Sequence, residues 1–140
     1  MAFSPETYAL LNGKIDGIAS EVSGKGTVYP GLYNTGTTIS IGASFKTANE
    51  MELEAGTYLI IGNAGFSGNL DSSKTMQLSL YDVTNSTTIM TVKGAMGQGG
   101  GVCLVTVLTL SAAAKLRTRA AQNTGNDLDL AQNLMYAVKL

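Results

Sequence analysis

Hydrophobic and polar side chains alternate along most of the chain from Thr27 to the last residue. A period of two is typical of β-strands, because successive side chains point to opposite faces of a sheet. In residues 58–66 alternate positions are apolar or small, and Leu59 and Ile61 lie on the opposite face. The same pattern, interrupted by turn-forming residues, predicts further strands at residues 39–45, 76–83, 88–93, 102–110, 116–122 and 134–140. We therefore predict roughly eight to ten short strands and an all-β, antiparallel jelly-roll sandwich.

The segment 102–110 is apolar on both faces. One face carries Val102, Leu104, Leu108 and Leu110, and the other carries Cys103, Val105 and Val107. An antiparallel sheet commonly leaves one face in water, so such a strand needs either a second covering layer or a partner subunit. Cys103 has a further interpretation as a small buried apolar residue. Because the alternation continues to Leu140, the C-terminus is expected to be held in a sheet.

One short helix is predicted before the strands. Ser4 followed by Pro5 matches an N-cap with proline at the first helical position. Apolar residues then recur at alternating spacings of three and four, as in a coiled-coil seam: Tyr8, Leu11, Ile15, Ile18 and Val22. This seam covers only about two heptads, which leaves two interpretations open. The helix either bundles with copies of itself, or it packs against its own domain or frays.

The run Gly24-Lys25-Gly26 divides the chain. We predict an N-terminal anchoring helix with a flexible joint at residues 1–26, and a jelly-roll domain at residues 27–140.

Composition and charge mainly exclude classes of function. Nine basic residues face ten acidic ones, for a net charge of -1, so no positive surface for nucleic acid is expected. Charged residues make up only 14% of the chain, well below the roughly 25% of an average soluble protein. With no His and a single Cys, the sequence excludes Ser-His-Asp and Cys-His catalysis and His-ligated metals. We expect a protein that is not an enzyme and that has no cofactor.

Targeting signals are likewise not expected. The N-terminus lacks a positively charged start followed by an apolar run, so no signal peptide is predicted. The longest apolar stretch, residues 102–110, is too short to cross a bilayer. We predict synthesis in a reducing cytosol and no membrane insertion.

Three polar clusters in the sequence are candidate sites. Asn126, Asp127 and Asp129 offer too few oxygens for Ca²⁺ without remote ligands, so a polar turn is favoured. Three acidic residues recur at a spacing of two: Glu50, Glu52 and Glu54. Paired carboxylates are compatible with glycoside hydrolysis. We favour a charged strand edge that discourages pairing with other strands. Three basic residues at the same period predict a solvated face, with an anion or acidic-glycan contact as the alternative: Lys115, Arg117 and Arg119.

Four segments together resemble a known superfamily. They are Leu53–Ile61 (LEAGTYLII), Gln77–Asp82 (QLSLYD), Val105–Leu110 (VTVLTL) and Met135–Leu140 (MYAVKL). In this order they resemble the jelly-roll domains of the complement globular-head and tumour-necrosis-factor superfamily. They resemble most the versions found in bacteriophage fibre and head-decoration proteins, and the first eleven residues are similar to the start of small phage structural proteins.

This resemblance implies a homotrimer whose C-terminal strand lies in the inner sheet near the threefold axis. The trimer interface is accordingly predicted to include Cys103, Val105, Val107, Tyr136, Val138 and Leu140. The implied function is that of a non-enzymatic bacteriophage virion protein, a fibre or decoration knob. It would bind other virion proteins through its N-terminal segment and a host-surface glycan or protein through the knob. The alternative is an adhesin or trimerisation domain on a bacterial cell or spore surface, against which the expected lack of a signal peptide counts.

Overall fold

The computed structural model describes residues 4–22, 25–31, 39–66, 71, 73–96 and 101–140, with the backbone alone for residues 15–22. Within these residues, one helix precedes nine strands. Their bounds are α1 Pro5–Val22, β1 Val28–Pro30, β2 Ser40–Ile41, β3 Lys46–Leu53, β4 Gly56–Phe66, β5 Thr75–Asp82, β6 Thr87–Ala95, β7 Gly101–Leu110, β8 Ala114–Gln122 and β9 Leu128–Lys139.

The strands form two antiparallel sheets. The first has the order β1-β9-β4-β7, with β2 also paired to β9, and the second has the order β3-β8-β5-β6. The chain crosses from one sheet to the other between β2 and β3, β3 and β4, β4 and β5, β6 and β7, β7 and β8, and β8 and β9. Repeated crossing between two sheets is the connectivity of a jelly roll. The predicted all-β jelly-roll sandwich with a short N-terminal helix is confirmed.

The core lies between the inner faces of the two sheets. The first sheet contributes Tyr58, Ile60, Phe66, Leu104, Met135 and Ala137, and the second contributes Met51, Leu78, Leu80, Leu116 and Ala120. Each of the Leu, Ile, Met and Phe side chains contributes about 1.5–3 kcal/mol to the free energy of unfolding when it is fully buried. The Tyr58 hydroxyl donates a hydrogen bond to the Glu54 carbonyl at 3.0 Å, and burial of the ring raises the pKa of Tyr58.

The predicted strand at residues 39–45 is wrong in its extent. Only Ser40 and Ile41 pair with β9, and Phe45 is exposed. The chain pairs instead over Lys46–Leu53, where β3 runs beside β8. A register shift between Thr47 and Asn49 places consecutive residues inside the sandwich and so breaks the period-two signal.

The predicted helix forms at Pro5–Val22, and the predicted N-cap is confirmed because the Thr7 amide donates to the Ser4 hydroxyl at 3.3 Å. Tyr8 and Leu11 are exposed. The side chains of the other three seam residues, Ile15, Ile18 and Val22, lie outside the described residues. The hydrogen bonds of the sandwich begin at Gly26, whose amide donates to the Lys139 carbonyl at 2.6 Å.

Candidate functional site: an apolar sheet face

The outward face of the first sheet is built from side chains aligned in rows across four strands. In one row Leu59 lies between Val107 and Val138, and Val28 follows. The next row places Ile61 between Val105 and Tyr136, with Pro30 beyond it. A third row has Asn63 between Cys103 and Leu134. We call this surface the apolar face, and it comprises Val28, Pro30, Leu59, Ile61, Cys103, Val105, Val107, Leu134, Tyr136, Val138 and Leu140.

The apolar face is open to solvent in the single chain. Val107 is 60% exposed and Val105 is 55% exposed, although both lie in the middle of β7. Leu134 and Tyr136 on β9 are also exposed, as are Leu140 just after β9 and Val28 on β1. Monomeric soluble proteins rarely expose contiguous apolar patches of this kind, and larger ones mark interaction sites.

The ends of the apolar face are polar but uncharged. At one end the Thr57 and Thr109 hydroxyls lie 2.9 Å apart and share a hydrogen bond across β4 and β7. At the other end Asn63 carries a buried side-chain oxygen with no hydrogen-bond partner. None of the outward positions in the described rows is a charged residue.

The predicted interface residues therefore lie together on one surface. Cys103, Val105 and Val107 come from β7, and Tyr136 and Val138 come from the C-terminal end of β9. Leu140 follows β9, and its amide donates to the Thr57 carbonyl. The interpretation of Cys103 as a buried residue is wrong, because it is exposed in the single chain. The prediction omitted Leu59, Ile61 and Val28, although the alternation in residues 58–66 already assigned Leu59 and Ile61 to the face opposite the core.

The acidic and basic clusters meet on the outward face of the second sheet. Glu50 on β3 lies opposite Arg117 on β8, and the Arg117 Nε donates to the Glu50 Oε2 at 3.1 Å. Glu52 lies opposite Lys115, with 3.7 Å between the Lys115 Nζ and the Glu52 Oε1. Since β3 is an edge strand, the charged-edge interpretation of Glu50 and Glu52 fits its position. Glu54 lies just beyond the strand.

A cavity of about 450 Å³ adjoins this edge, lined by Tyr29, Pro30, Glu50, Met51, Glu52 and Lys115. Its volume is within the range of small-molecule sites. Both of its carboxylates are engaged by cations from β8, Glu50 by Arg117 and Glu52 by Lys115. The cavity thus presents paired charges and the Tyr29 ring rather than two free carboxylates.

The third polar cluster is a hydrogen-bonded turn. The Asn126 carbonyl accepts hydrogen bonds from the Gln122 side-chain amide and, at 3.0 Å, from the Thr124 hydroxyl. Asp127 and Asp129 are exposed. Within the described residues no group of three or more His, Cys, Asp or Glu side chains is placed to hold a metal ion. None of the described helices is long and apolar enough to cross a membrane.

Solved structures share this sandwich. The structure of Eiger TNF from S. frugiperda aligns with a TM-score of 0.59 at 15% identity, over 81% of this chain and 91% of that one. The T13 IBDV viral particle and the infectious bursal disease virus VP2 subviral particle align with TM-scores of 0.57 and 0.55, at 10% and 13% identity. Both alignments cover 81% of this chain, which spans only 31% and 32% of the two viral chains. The fold is a jelly roll of the TNF and viral-particle type.

Neither a family model nor a curated protein matches the sequence. At these sequence identities the structural likeness concerns the fold alone.

Proposed function

We propose that this chain is a non-enzymatic structural protein of a bacteriophage particle, in which three copies associate through the apolar face to form a knob. The observation that carries the proposal is an uncharged, exposed apolar surface on a sheet that is otherwise well formed. As a fibre tip or head decoration, the knob would cover the particle or contact a glycan or protein of the host surface. Three weak contacts on one rigid head would give avidity without a strong single site.

Burial of the apolar face supplies the driving force for association. Burying a Val or Leu side chain completely is worth about 1.5–3 kcal/mol relative to leaving it in water. Val105, Val107 and Leu140 are each at least half exposed in the single chain, so each copy would gain from being covered. Because no side chain of the apolar face is charged, covering these side chains leaves none of them as an ion without a partner.

The choice of three copies rests on the resemblance to the trimeric complement and TNF domains, with the Eiger TNF alignment in support. The choice of a particle protein rests on the resemblance to phage fibre and decoration domains. Two solved structures described as viral or subviral particles also contain this sandwich as part of longer chains.

The composition of purified particles tests the proposed location. Virions produced by the host that carries this gene are purified through a density gradient, digested and analysed by mass spectrometry, with the cell envelope fraction analysed in parallel. We expect peptides of this chain to copurify with the particles at a constant ratio to the major capsid protein. Peptides confined to the envelope fraction would favour the alternative, an adhesin of a bacterial cell or spore surface.

Residues 1–24 are expected to attach the knob to other virion proteins rather than to hold the trimer together. A chain starting at Lys25 keeps the hydrogen bond between Gly26 and Lys139 and the whole sandwich. We expect this shortened chain to remain trimeric by light scattering and to melt within a few degrees of the full chain, because Gly13 and Gly17 each weaken α1 by about 1 kcal/mol relative to Ala. In a complementation assay it should fail to enter particles. Dissociation to monomers would instead make α1 the trimerisation element, and normal incorporation would place the attachment site on the sandwich.

A further inference from the structure

Arg119, on the outward face of the second sheet, differs from its neighbours in its electrostatic environment. The basic residues of β8 differ in what lies opposite them on the neighbouring strands. Arg117 faces Glu50 and Lys115 faces Glu52, whereas Arg119 faces Thr47 on β3 and Ser79 on β5. Both of the other two form ion pairs, but Arg119 forms none with a described residue. Its positive charge is therefore not neutralised by the sheet.

Aromatic rings hold the Arg119 guanidinium in place. Its Cζ atom lies 3.9 Å from the centroid of the Tyr81 ring and 5.4 Å from that of Phe45. Both distances are within the range of cation–π contacts, and the flat guanidinium stacks well on aromatic faces. The rings fix the plane of the guanidinium without using its hydrogen-bond donors, so less side-chain freedom would be lost when a ligand binds.

The donors of Arg119 remain unused. Its Nε is buried and has no hydrogen-bond partner among the described residues, which is a costly state for a donor on a charged group. The terminal nitrogens make no hydrogen bond to the described residues either. The two terminal nitrogens of a partly exposed guanidinium offer parallel N–H donors, the arrangement that a carboxylate matches with its two oxygens.

We propose that Arg119, held against Tyr81 and Phe45, binds the carboxylate of an acidic glycan. A carboxylate fits better than a phosphate group, which carries about -1.5 to -2 charges and is usually met by several cations. Here the residues opposite Arg119 are neutral. The half-exposed Phe45 and the exposed Thr47 beside it offer an apolar surface and a hydroxyl to the sugar ring. The choice of a glycan rests on the proposed host contact, whereas the site itself lies within one chain.

This site is compatible with the proposed trimer. Arg119 lies on β8 of the second sheet, and the apolar face belongs to the first sheet on the other side of the core. Association through the apolar face would leave three such sites open on the outside of the knob. A polymer with a carboxylate on every sugar could occupy them together.

Titration with an oligogalacturonate, followed by side-chain NMR of the full-length protein, tests the proposal. We expect the Arg119 Nε–Hε resonance to shift with the acidic trisaccharide and not with a neutral galactose trisaccharide. Arg119→Gln should weaken binding about tenfold or more, because it removes a charge-assisted hydrogen-bond pair. Arg119→Lys, which keeps the charge but loses the planar fork, should also weaken it.

Lys93→Gln is the matched control, since it removes one positive charge from an exposed position of the same sheet and should bind as the unmodified chain does. Circular dichroism of each variant verifies folding, and Tyr81→Phe, which keeps the ring, should retain binding. Equal binding by Arg119→Gln, equal shifts with the neutral sugar, or no shift at all would overturn the proposal. Light scattering on the same samples reports the trimer separately, so a failure of the glycan site and a failure of the trimer are distinguishable.

Discussion

Replacing Val107 by glutamate should convert the trimer into folded monomers. Val107 is 60% exposed in the single chain, so a charged side chain can remain in water there without disturbing the core. In the proposed trimer the same position is covered by another subunit. Three carboxylates would then be buried without partners, which costs several kcal/mol for each charge. Light scattering should give the mass of one 14.5-kDa chain instead of three.

Thr88→Glu is the control for this substitution. Thr88 is an exposed β-branched residue on β6 of the second sheet, and its replacement adds the same charge. We expect this variant to remain trimeric. If Val107→Glu is trimeric too, the apolar face is not the interface. If Val107→Glu is unfolded by circular dichroism, Val105→Gln provides a milder polar replacement on the same face.

Removing residues 136–140 should abolish cooperative folding. All three residues of β1 pair with this segment, namely Val28 with Val138, Tyr29 with Ala137 and Pro30 with Tyr136. The segment also pairs with the first part of β4 and carries the fully buried Ala137. The shortened chain loses the middle of the first sheet and releases Tyr29, whose ring packs edge-on against that of Tyr58. The resulting loss in the free energy of unfolding should exceed the roughly 5–15 kcal/mol by which a typical domain is stable.

Removal of Leu140 alone is the matched control for this truncation. Leu140 is half exposed and contributes one backbone hydrogen bond, from its amide to the Thr57 carbonyl. We expect that variant to fold and to melt only a few degrees below the full chain in a thermal scan. A chain ending at Met135 that unfolds cooperatively near the melting temperature of the full chain would contradict the role given to the C-terminal strand.

The sequence was sufficient to predict the features that depend on local alternation. Residues 58–66 and 102–110 each carry two different apolar faces, and both faces are found as predicted, one in the core and one outside. The end of the chain is also held in a sheet, as its alternation to the last residue predicts. In these strands the side-chain period alone decides which residues share a surface.

Features that depend on distant pairing could not be predicted in the same way. The register shift in β3 buries Ala48 and Asn49 side by side, which no period of two suggests. The ion pair between Glu50 and Arg117 joins residues 67 positions apart, so only the strand order reveals it. Strand order also explains why Arg119, unlike Arg117, has no ion pair with a described residue: the sheet places the neutral Thr47 and Ser79 opposite it. Cys103 is exposed because its side chain points away from the core, on the outward face of the first sheet.

In the proposed trimer, the apolar face joins three copies of this chain. The most direct measurement is multi-angle light scattering of the unmodified full-length protein, separated by size exclusion at micromolar concentration. We expect one species with the mass of three 14.5-kDa chains that persists on dilution. A stable species with the mass of one chain, folded and soluble with its apolar face in water, would contradict it.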